Sequence, residues 1–270
     1  MAWQAGETIG SYTIEGELGT GGMATVYRAR HVRLARDVAL KLMHQAFVTD
    51  DNFIARFERE AQIVARLEHA NIVPVYDFDD IEGQPYIAMK YIEGRTLKDT
   101  FAQVAPTLDE IVNIVDAVAA ALTYAHAQGV LHRDVKPSNV IIDQTGHIYL
   151  TDFGLARAAQ SGESTLSAGM IIGTPNYVAP EQASDDAEVS ERSDVYSFGV
   201  MLYEMMTGRV PFTGKTPYAT IHKHIYEPPP LPSEINPEVP TQVEMVLLKA
   251  LEKAPDDRYQ TPGELAEAFK

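Results

Sequence analysis

Apolar and polar residues alternate with a period close to two over much of residues 12–42. The alternation is clearest at residues 12–15, 25–29 and 38–42, with a glycine-rich bend after the first segment. Because successive side chains of a strand point to opposite faces of a sheet, this pattern predicts strands joined by turns. Residues 86–92 are similarly rich in apolar and aromatic residues and are predicted to form a further strand. The chain therefore begins with a small β-rich unit.

One amphipathic helix interrupts this unit. Between Asp50 and Glu68, apolar residues recur at helical spacing, which predicts a helix of about five turns. These apolar residues are Phe53, Phe57, Val64 and Leu67. Glu60 falls within the apolar stripe, where a carboxylate is costly unless it meets a cation. The sequence therefore predicts a lysine partner for Glu60; the alternative places Glu60 at the rim of a helix that bends outward.

After a break at residues 93–94, the pattern becomes mostly helical. Residues 107–110 have the capping-box pattern and open a helix with apolar residues along one face. Residues 193–206 are apolar nearly all round, which predicts a buried central helix. We therefore expect two lobes. The N-terminal lobe, residues 1–92, is β-rich with one long helix, and the larger C-terminal lobe, residues 93–270, is mainly helical.

Composition limits the class of protein. The chain has 270 residues, of which 45% are hydrophobic, so it can bury a large core. It contains no cysteine, which excludes disulfides and thiolate metal sites and favours a cytoplasmic location. The longest apolar stretch, residues 111–122, is interrupted by Asn113 and Asp116 and is shorter than the ~20 residues of a membrane helix; we also find no signal peptide. The net charge of −16 argues against nucleic acid or an anionic membrane surface as a partner.

A cluster of polar residues between predicted strands carries the candidate chemistry. It consists of His132, Arg133, Asp134, Lys136 and Asn139, followed by Asp152, Phe153 and Gly154. Asp134 can accept a hydroxyl proton, and Lys136 can neutralise a migrating phosphoryl group. Asn139 and Asp152 can hold magnesium. Singly, each motif has an alternative, since an Asp-Phe-Gly tripeptide can be a plain loop and a lone histidine can be a core residue. The ordered set favours transfer of the γ-phosphate of ATP.

The glycine-rich bend offers a way to hold a nucleotide. The glycines within residues 19–22 let backbone N–H groups approach phosphates. A dinucleotide-binding fold would place a helix directly after them, whereas residues 25–30 alternate like a strand, so we predict a hairpin. The Gly-Lys-Ser/Thr ending of a P-loop does not occur in the sequence. Lys41 has apolar neighbours on its predicted strand; it is either a solvated lysine or, as we expect, the cation that holds the ATP phosphates and pairs with Glu60.

Together, these motifs resemble those of eukaryotic-type serine/threonine protein kinases, through nearly the whole chain. The matching elements are residues 19–26, Lys41, Glu60, residues 132–134, Lys136, Asn139, residues 152–154, the Ala-Pro-Glu sequence at 179–181, Asp194 and Arg258. Residues 136–139 and 173–177 are similar to the Ser/Thr branch and unlike the tyrosine branch. The Gly-Gly-Met sequence at 21–23 and residues 56–62 resemble the bacterial PknB-type receptor kinases. The resemblance implies an α+β, bilobal protein-kinase-like fold.

The resemblance also implies roles for individual residues. The implied catalytic residues are Asp134, Lys136, Lys41 and Glu60. The implied ATP-binding residues are Leu18, Gly19, Thr20, Gly21, Gly22, Met23, Ala24, Thr25, Val26, Ala39, Lys41, Met89, Lys90, Ile92, Asn139, Ile141 and Asp152. The implied metal ligands are Asn139 and Asp152, for Mg²⁺ or alternatively Mn²⁺. Glu181 is implied to pair with Arg258, and His132 and Phe153 to pack in the regulatory spine.

Two positions depart from the family pattern. Ala24 replaces the third glycine of the loop, which slightly stiffens its tip. Lys90 follows Met89, the residue at the gatekeeper position, and stands where many relatives carry an acidic residue. Only the backbone of Lys90 is expected to matter, because adenine is expected to bond to the main chain of Lys90 and Ile92.

The sequence therefore predicts a non-specific serine/threonine protein kinase that uses MgATP and acts on protein substrates. A pseudokinase scaffold is the alternative from another class, but no catalytic residue is missing. A small-molecule kinase is disfavoured by the full activation segment at residues 152–181. The acidic surface is expected to give only a salt-sensitive bias toward basic peptides.

We also predict self-activation by phosphorylation at Thr165 and Ser167, through transient self-association. These hydroxyls lie within residues 160–169, which are small, polar and glycine-flanked. The rival positions are Ser161, Ser164 and Thr174.

The proline-rich run at 228–232 is interpreted as a connector between helices rather than a polyproline ligand. The sequence stops at Lys270 without a C-cap, so we expect the cytoplasmic catalytic part of a longer bacterial signalling protein, without membrane contact by this segment itself but compatible with a tether elsewhere.

Overall fold

The computed structural model describes residues 3–48, 51–81, 83–153, 175–184 and 188–270. Within these residues, the N-terminal lobe is built on a six-stranded antiparallel sheet. Its strands are β1 (Thr8–Ile9), β2 (Tyr12–Thr20), β3 (Ala24–His31), β4 (Arg36–Met43), β5 (Val75–Ile81) and β6 (Gln84–Lys90). They lie in the order β1-β2-β3-β4-β6-β5. The predicted β-rich start of the chain is confirmed.

The alternating sequence of β4 buries the sheet on both faces. Leu40 and Leu42 belong to an apolar cluster on one face. Ala39 and Met43 belong to a second cluster on the opposite face. Because side chains alternate along a strand, Lys41 lies on the same face as Ala39 and Met43. A lysine is thereby placed at the edge of an apolar wall.

Helix α1 (Asp51–Val64) covers this second face, where Phe57 and Ala61 join the cluster. The prediction of about five turns was too long, since α1 has 14 residues. Leu67 N donates to Val64 O at 3.0 Å, so the chain tightens into a short i→i+3 turn after the helix. Leu67 is still buried, but in the core of the C-terminal lobe. The apolar periodicity therefore continues beyond the end of the helix.

The C-terminal lobe combines helices with a small sheet. Its helices are α2 (Leu97–Phe101), α3 (Leu108–Ala127), α4 (Glu191–Thr207), α5 (Pro217–Tyr226), α6 (Pro232–Ile235), α7 (Thr241–Ala250) and α8 (Pro262–Phe269). Its strands are β7 (Gly94–Thr96), β8 (Val140–Asp143) and β9 (Ile148–Leu150), in that order. The predicted capping box of α3 is present, with Thr107 N donating to Glu110 Oε2 at 2.8 Å.

Helix α4 is the predicted buried centre of this lobe. Residues 193–203 are all buried. A Cβ atom at Gly199 would lie only 2.8 Å from Ala250 Cβ, so glycine permits the close approach of α4 to the end of α7. Among the helices that the structure describes, none is both long and apolar enough to cross a membrane.

The lobes are joined by backbone contacts as well as by the chain itself. Leu150 of β9 accepts a hydrogen bond from Val73 N at 3.0 Å and donates one to Asn71 O at 2.8 Å. Residues 71–73 are thus attached to the C-terminal lobe, although they precede the predicted boundary at residues 92–93. That boundary stays a prediction.

Candidate active site

Asp134 and Lys136 lie in the loop between α3 and β8. Lys136 Nζ forms an ion pair with Asp134 Oδ2 at 2.6 Å. Asn139 donates its Nδ2 to Asp134 O at 2.8 Å and to Asp134 Oδ2 at 3.1 Å. These bonds orient the Asp134 carboxylate, while 38% of its side chain remains exposed to meet a substrate. The structure thus brings three of the predicted residues together.

A buried carboxylate beneath this loop fixes its backbone. Asp194, in the first turn of α4, accepts N–H bonds from His132 at 2.8 Å and Arg133 at 2.7 Å. His126 Nε2 lies 2.8 Å from Asp194 Oδ2. Arg133 has φ of +67°, uncommon for a residue other than glycine, and its bond to Asp194 supports that conformation. The sequence indicated only that Asp194 heads the central helix; no local pattern connects it with the catalytic loop.

Lys41 and Asp152 meet between the lobes. Lys41 Nζ lies 2.8 Å from Asp152 Oδ2, and both side chains are largely buried. Burial by itself would raise the pKa of Asp152, but the charge and hydrogen bond of Lys41 outweigh burial and hold this pKa below its ordinary value. Asp152 is therefore anionic at neutral pH and suited to hold a cation.

The predicted ion pair between Lys41 and Glu60 is not the one this structure contains. Within the described residues, the ion pair of Lys41 joins it to Asp152. Glu60 is half-buried on α1. The sequence indicates that Glu60 needs a cation, but it cannot show which carboxylate lies nearest to Lys41, because that depends on the position of α1 against the sheet. The Lys41–Glu60 pair stays a prediction.

His132 and Phe153 pack against each other behind the site. Their ring centroids are 4.6 Å apart, and both residues are buried. Burial lowers the pKa of His132. Its Nε2 lies 2.9 Å from Thr151 O, and Thr151 Oγ1 donates to Met89 Sδ at 3.6 Å. Thr151, which the sequence did not single out, therefore connects the packed histidine with the gatekeeper position.

The glycine-rich hairpin forms as predicted between β2 and β3. Gly21 N donates to Ala24 O at 2.9 Å across the turn, and a strand rather than a helix follows the glycines. His44, just after β4, stabilises the tip of the hairpin, because its backbone N–H donates to Met23 O at 2.8 Å. His44 Nε2 also lies 2.9 Å from Thr25 Oγ1. Sequence reasoning missed His44, since nothing in its neighbourhood points to the hairpin.

Several of the predicted nucleotide-binding residues share one apolar cluster. Those belonging to one apolar cluster are Met23, Ala24, Val26, Ala39, Met89 and Ile92. Those in the hairpin outside this cluster are Gly19, Thr20, Gly21, Gly22 and Thr25. Leu18 is exposed near the end of β2, and Ile141 is half-buried on β8. Lys90 N donates to Pro74 O at 2.9 Å, so the backbone group that Lys90 can offer to adenine is its carbonyl oxygen.

Asn139 and Asp152 offer the type of ligand that Mg²⁺ prefers. Asn139 uses Nδ2 to bond Asp134, which leaves its Oδ1 for a cation. Asp152 uses Oδ2 to meet Lys41, which leaves its Oδ1. Mg²⁺ binds oxygen, and in phosphoryl-transfer sites it takes one or two protein carboxylates together with phosphate oxygens. The donor set therefore fits the ion, and it fits Mn²⁺ equally well.

Glu181 and Arg258 form the ion pair that the resemblance implied. Arg258 Nη1 and Nη2 lie 2.7 and 2.9 Å from the two carboxylate oxygens, and both residues are at most 3% exposed. Burial would raise the pKa of Glu181, but the bonds and charge of Arg258 hold this pKa below its ordinary value. The pair joins the 3₁₀ turn at Pro180–Ala183 to the segment before α8.

The predicted phosphorylation sites Thr165 and Ser167, and their rivals, lie outside the described residues.

Three features together define a protein kinase catalytic domain. They are a β-rich lobe with a glycine-rich hairpin, a lysine on the apolar face of its sheet, and the set of Asp134, Lys136 and Asn139 in the C-terminal lobe. The comparison with known families agrees. Residues 12–269 match the family model described as protein kinase domain. The chain belongs to the protein kinase family.

Individual relatives are bacterial. The chain is 42% identical over 259 residues to serine/threonine-protein kinase PknB of Mycobacterium leprae, covering 94% of this chain and 42% of that protein. For PknB of Mycobacterium tuberculosis H37Rv, the identity is 43% over 254 residues, with 92% and 40% covered. The chain thus spans about two fifths of the length of these curated relatives.

The crystal structure of the Mycobacterium tuberculosis PknI kinase domain is similar with a TM-score of 0.80 and 33% identity, covering 99% of this chain and 98% of that one. The predicted bilobal kinase fold is confirmed. The predicted class, a bacterial serine/threonine protein kinase catalytic domain, is also confirmed by the family match and the relatives.

Proposed function

We propose that the chain transfers the γ-phosphate of MgATP to serine and threonine hydroxyls of protein substrates. One observation carries this proposal: Lys136 Nζ and Asn139 Nδ2 both lie 2.6–3.1 Å from oxygen atoms of Asp134, in a partly exposed loop. Phosphoryl transfer needs such a proton acceptor, cation and metal ligand side by side.

Asp134 would orient the acceptor hydroxyl and take its proton. Its carboxylate is held by Lys136 and Asn139, so little reorganisation is needed when the substrate arrives. Lys136 lies close enough to counter the negative charge that develops on the transferred group. Catalysis would then depend on positioning and charge, without a covalent enzyme intermediate.

Asn139, Asp152 and Lys41 would hold the nucleotide. Bound Mg²⁺ would supply charge neutralisation on the ATP phosphates, with Asn139 and Asp152 as its protein ligands. Lys41 is 17% exposed beside the apolar cleft, which suits an ammonium that pairs with the α- and β-phosphates. Its predicted second partner is Glu60.

Asp134→Asn tests the proposal. We expect phosphate transfer to fall by roughly 10²- to 10⁴-fold, because the proton acceptor is lost. Binding of MgATP should remain, since Asp134 is placed against the acceptor hydroxyl. The assay combines labelled ATP and a peptide library with calorimetric titration of MgATP. Asp109→Asn, at an exposed position of α3, is the matched control and should keep full activity. Near-native turnover in Asp134→Asn would contradict the assigned role.

We further propose that the chain activates itself by phosphorylating Thr165 and Ser167 of a second molecule. The small, polar composition of residues 160–169 supports this proposal. A phosphate adds roughly −1.5 to −2 charges and strong acceptor oxygens. Arg133, beside Asp134, would supply a charge-assisted bond to it.

Self-activation can be tested by mass. After incubation with MgATP, peptide mapping of the active chain should find phosphate at Thr165 and Ser167, with Asp134→Asn as the inactive control. Active chain mixed with a tagged Asp134→Asn chain should phosphorylate the tagged molecule, as transfer between molecules requires. An active chain that gains no phosphate between Ala158 and Met170 would refute the proposal. So would unaltered activity after both hydroxyls are replaced by alanine.

The proposed setting is the cytoplasmic part of a longer bacterial signalling protein. The length of the curated relatives supports this setting. An antibody against this domain should detect, in the source cells, a protein well above the 29.8 kDa of this chain. The domain should resist protease added outside the cells. A native protein of 29.8 kDa would contradict the proposal.

A further inference from the structure

Residues 90–92, here called the hinge, begin at the last residue of β6 and lead toward β7, and they take part in two contacts between a cation and an aromatic ring. Tyr91 lies under the guanidinium of Arg28 on β3, with 4.8 Å from Arg28 Cζ to the ring centroid. Lys90 meets Tyr149 on β9, with 4.8 Å from Lys90 Nζ to that ring centroid. The first contact stays within the N-terminal lobe, whereas the second joins the hinge to the C-terminal lobe.

The contact between Lys90 and Tyr149 is also a hydrogen bond. Lys90 Nζ donates to Tyr149 Oη at 3.2 Å, and both side chains are half-buried. A partly desolvated ammonium at this distance combines a charge-assisted bond with attraction to the ring. The expectation that only the backbone of Lys90 matters is therefore incomplete.

Tyr149 belongs to the C-terminal lobe but contacts residues of the N-terminal lobe. Its side chain packs against the apolar cluster that also contains Met89 and Ile92. Its other side is supported by His147, whose ring centroid is 4.6 Å away and whose Nε2 lies 2.9 Å from Ala70 O. The ring of Tyr149, on β9 of the C-terminal lobe, is thus held in place where it contacts Lys90 of the hinge.

We infer that Lys90 is a positioning residue for nucleotide binding: its bond to Tyr149 stabilises the lobe arrangement in which the hinge backbone and the apolar cleft meet adenine. The inference rests on the proposed function, since it concerns the ATP site of the same reaction. A bond across the lobes is fully formed in one arrangement only, so its loss lowers the fraction of molecules that can bind. The apparent dissociation constant rises in proportion to that loss.

The contact can be separated from the charge by two variants and their combination. Lys90→Met removes the cation but keeps the apolar stem, and Tyr149→Leu keeps the cation but removes the ring and hydroxyl. We expect each to raise the Kd for MgATP by ~3- to 10-fold. The double variant should be no weaker than the weaker single variant, because both remove one contact. The kcat at saturating ATP and the KM for peptide should stay within about twofold of the original.

Conservative and matched variants complete the test. Lys90→Arg retains a cation and a donor and should restore native Kd. Tyr149→Phe retains the ring and its packing and should give a smaller rise than Tyr149→Leu. Lys215→Met removes an exposed lysine outside the cleft and should leave Kd unchanged, which controls for net charge. Thermal melting of each variant checks that it folds.

Three results would overturn the inference. One is a native Kd in Tyr149→Leu, which would leave only a charge effect of Lys90. Another is a double variant in which the fold-increase in Kd equals the product of the fold-increases in the two single variants. The third is a native chain that does not bind MgATP. By contrast, a native chain that binds MgATP but phosphorylates no peptide would sink the proposed function, while the Kd series would still decide the role of Lys90.

Discussion

Lys41 shows how much of the site depends on a single side chain. Its ammonium lies 2.8 Å from Asp152, so Lys41→Met removes the cation of a largely buried carboxylate as well as the expected phosphate ligand. We expect transfer to fall by at least ~100-fold. The melting temperature should fall, though by less than for a fully buried pair, because the side chains of Lys41 and Asp152 keep 17% and 23% of their exposure. The pKa of Asp152 should rise, because burial is then opposed less. Kinase assays and thermal melting on one preparation check this, and near-normal turnover would remove Lys41 from the mechanism.

At the same scale, the sequence predicted residue types better than residue partners. The motif around Asp134 was sufficient to expect a proton acceptor beside a cation, because its members are close in sequence. The choice of Asp152 over Glu60 by Lys41, and the bonds from Asp194 to the catalytic loop, depend on how distant segments pack. The hydrogen bond from Lys90 to Tyr149 was missed for the same reason. No spacing rule links such positions.

Between elements, the buried pair of Glu181 and Arg258 gives a pH-dependent prediction. Arg258→Met leaves a buried carboxylate without its cation, which should cost about 3–5 kcal/mol near neutral pH. In the native chain, the lowered pKa of Glu181 contributes stability above the ordinary pKa of a glutamate, and that stability is lost as pH falls through the folded-state pKa. In the variant, burial raises this pKa, so acid stabilises the variant relative to its neutral-pH state.

The difference in melting temperature between native chain and Arg258→Met should therefore be largest near neutral pH and should shrink under mild acid. Melting curves at several pH values measure it. Arg192→Met is the matched control, because the pair of Arg192 with Asp256 is exposed and should contribute little. A difference that does not vary with pH would contradict the assignment of the effect to Glu181.

The elements themselves were largely predictable, because their patterns are local. Alternation identified β2, β3 and β4, and the capping box marked the start of α3. The length of α1 was wrong, because Leu67 satisfies a helical period while serving the core of the other lobe. The spacing of apolar residues indicates which residues are buried, and at this point the buried residues belong to two different cores.

Across the whole molecule, the net charge of −16 should affect substrate choice. We expect the KM for a basic peptide to rise with salt, because screening reduces the attraction over distances beyond about 10 Å at 0.1 M. A peptide of the same sequence with glutamine in place of its basic residues should show a much weaker dependence. Steady-state assays of both peptides at several salt concentrations check this. Equal salt dependence would mean that the overall charge does not attract substrates.

The attachment of residues 71–73 to β9 has a mechanical consequence for α1. Val64, the last residue of α1, lies in the core of the C-terminal lobe, whereas Phe57 and Ala61 pack against the N-terminal sheet. If the lobes rotate relative to each other, α1 must pivot about its last turn. At 1.5 Å per residue, a rotation of ~20° would move Glu60 by roughly 2 Å and the start of the helix by roughly 7 Å. A displacement of roughly 2 Å is enough to make or break an ion pair, so a pivot of α1 that the N-terminal sheet does not follow would decide whether Lys41 can reach Glu60.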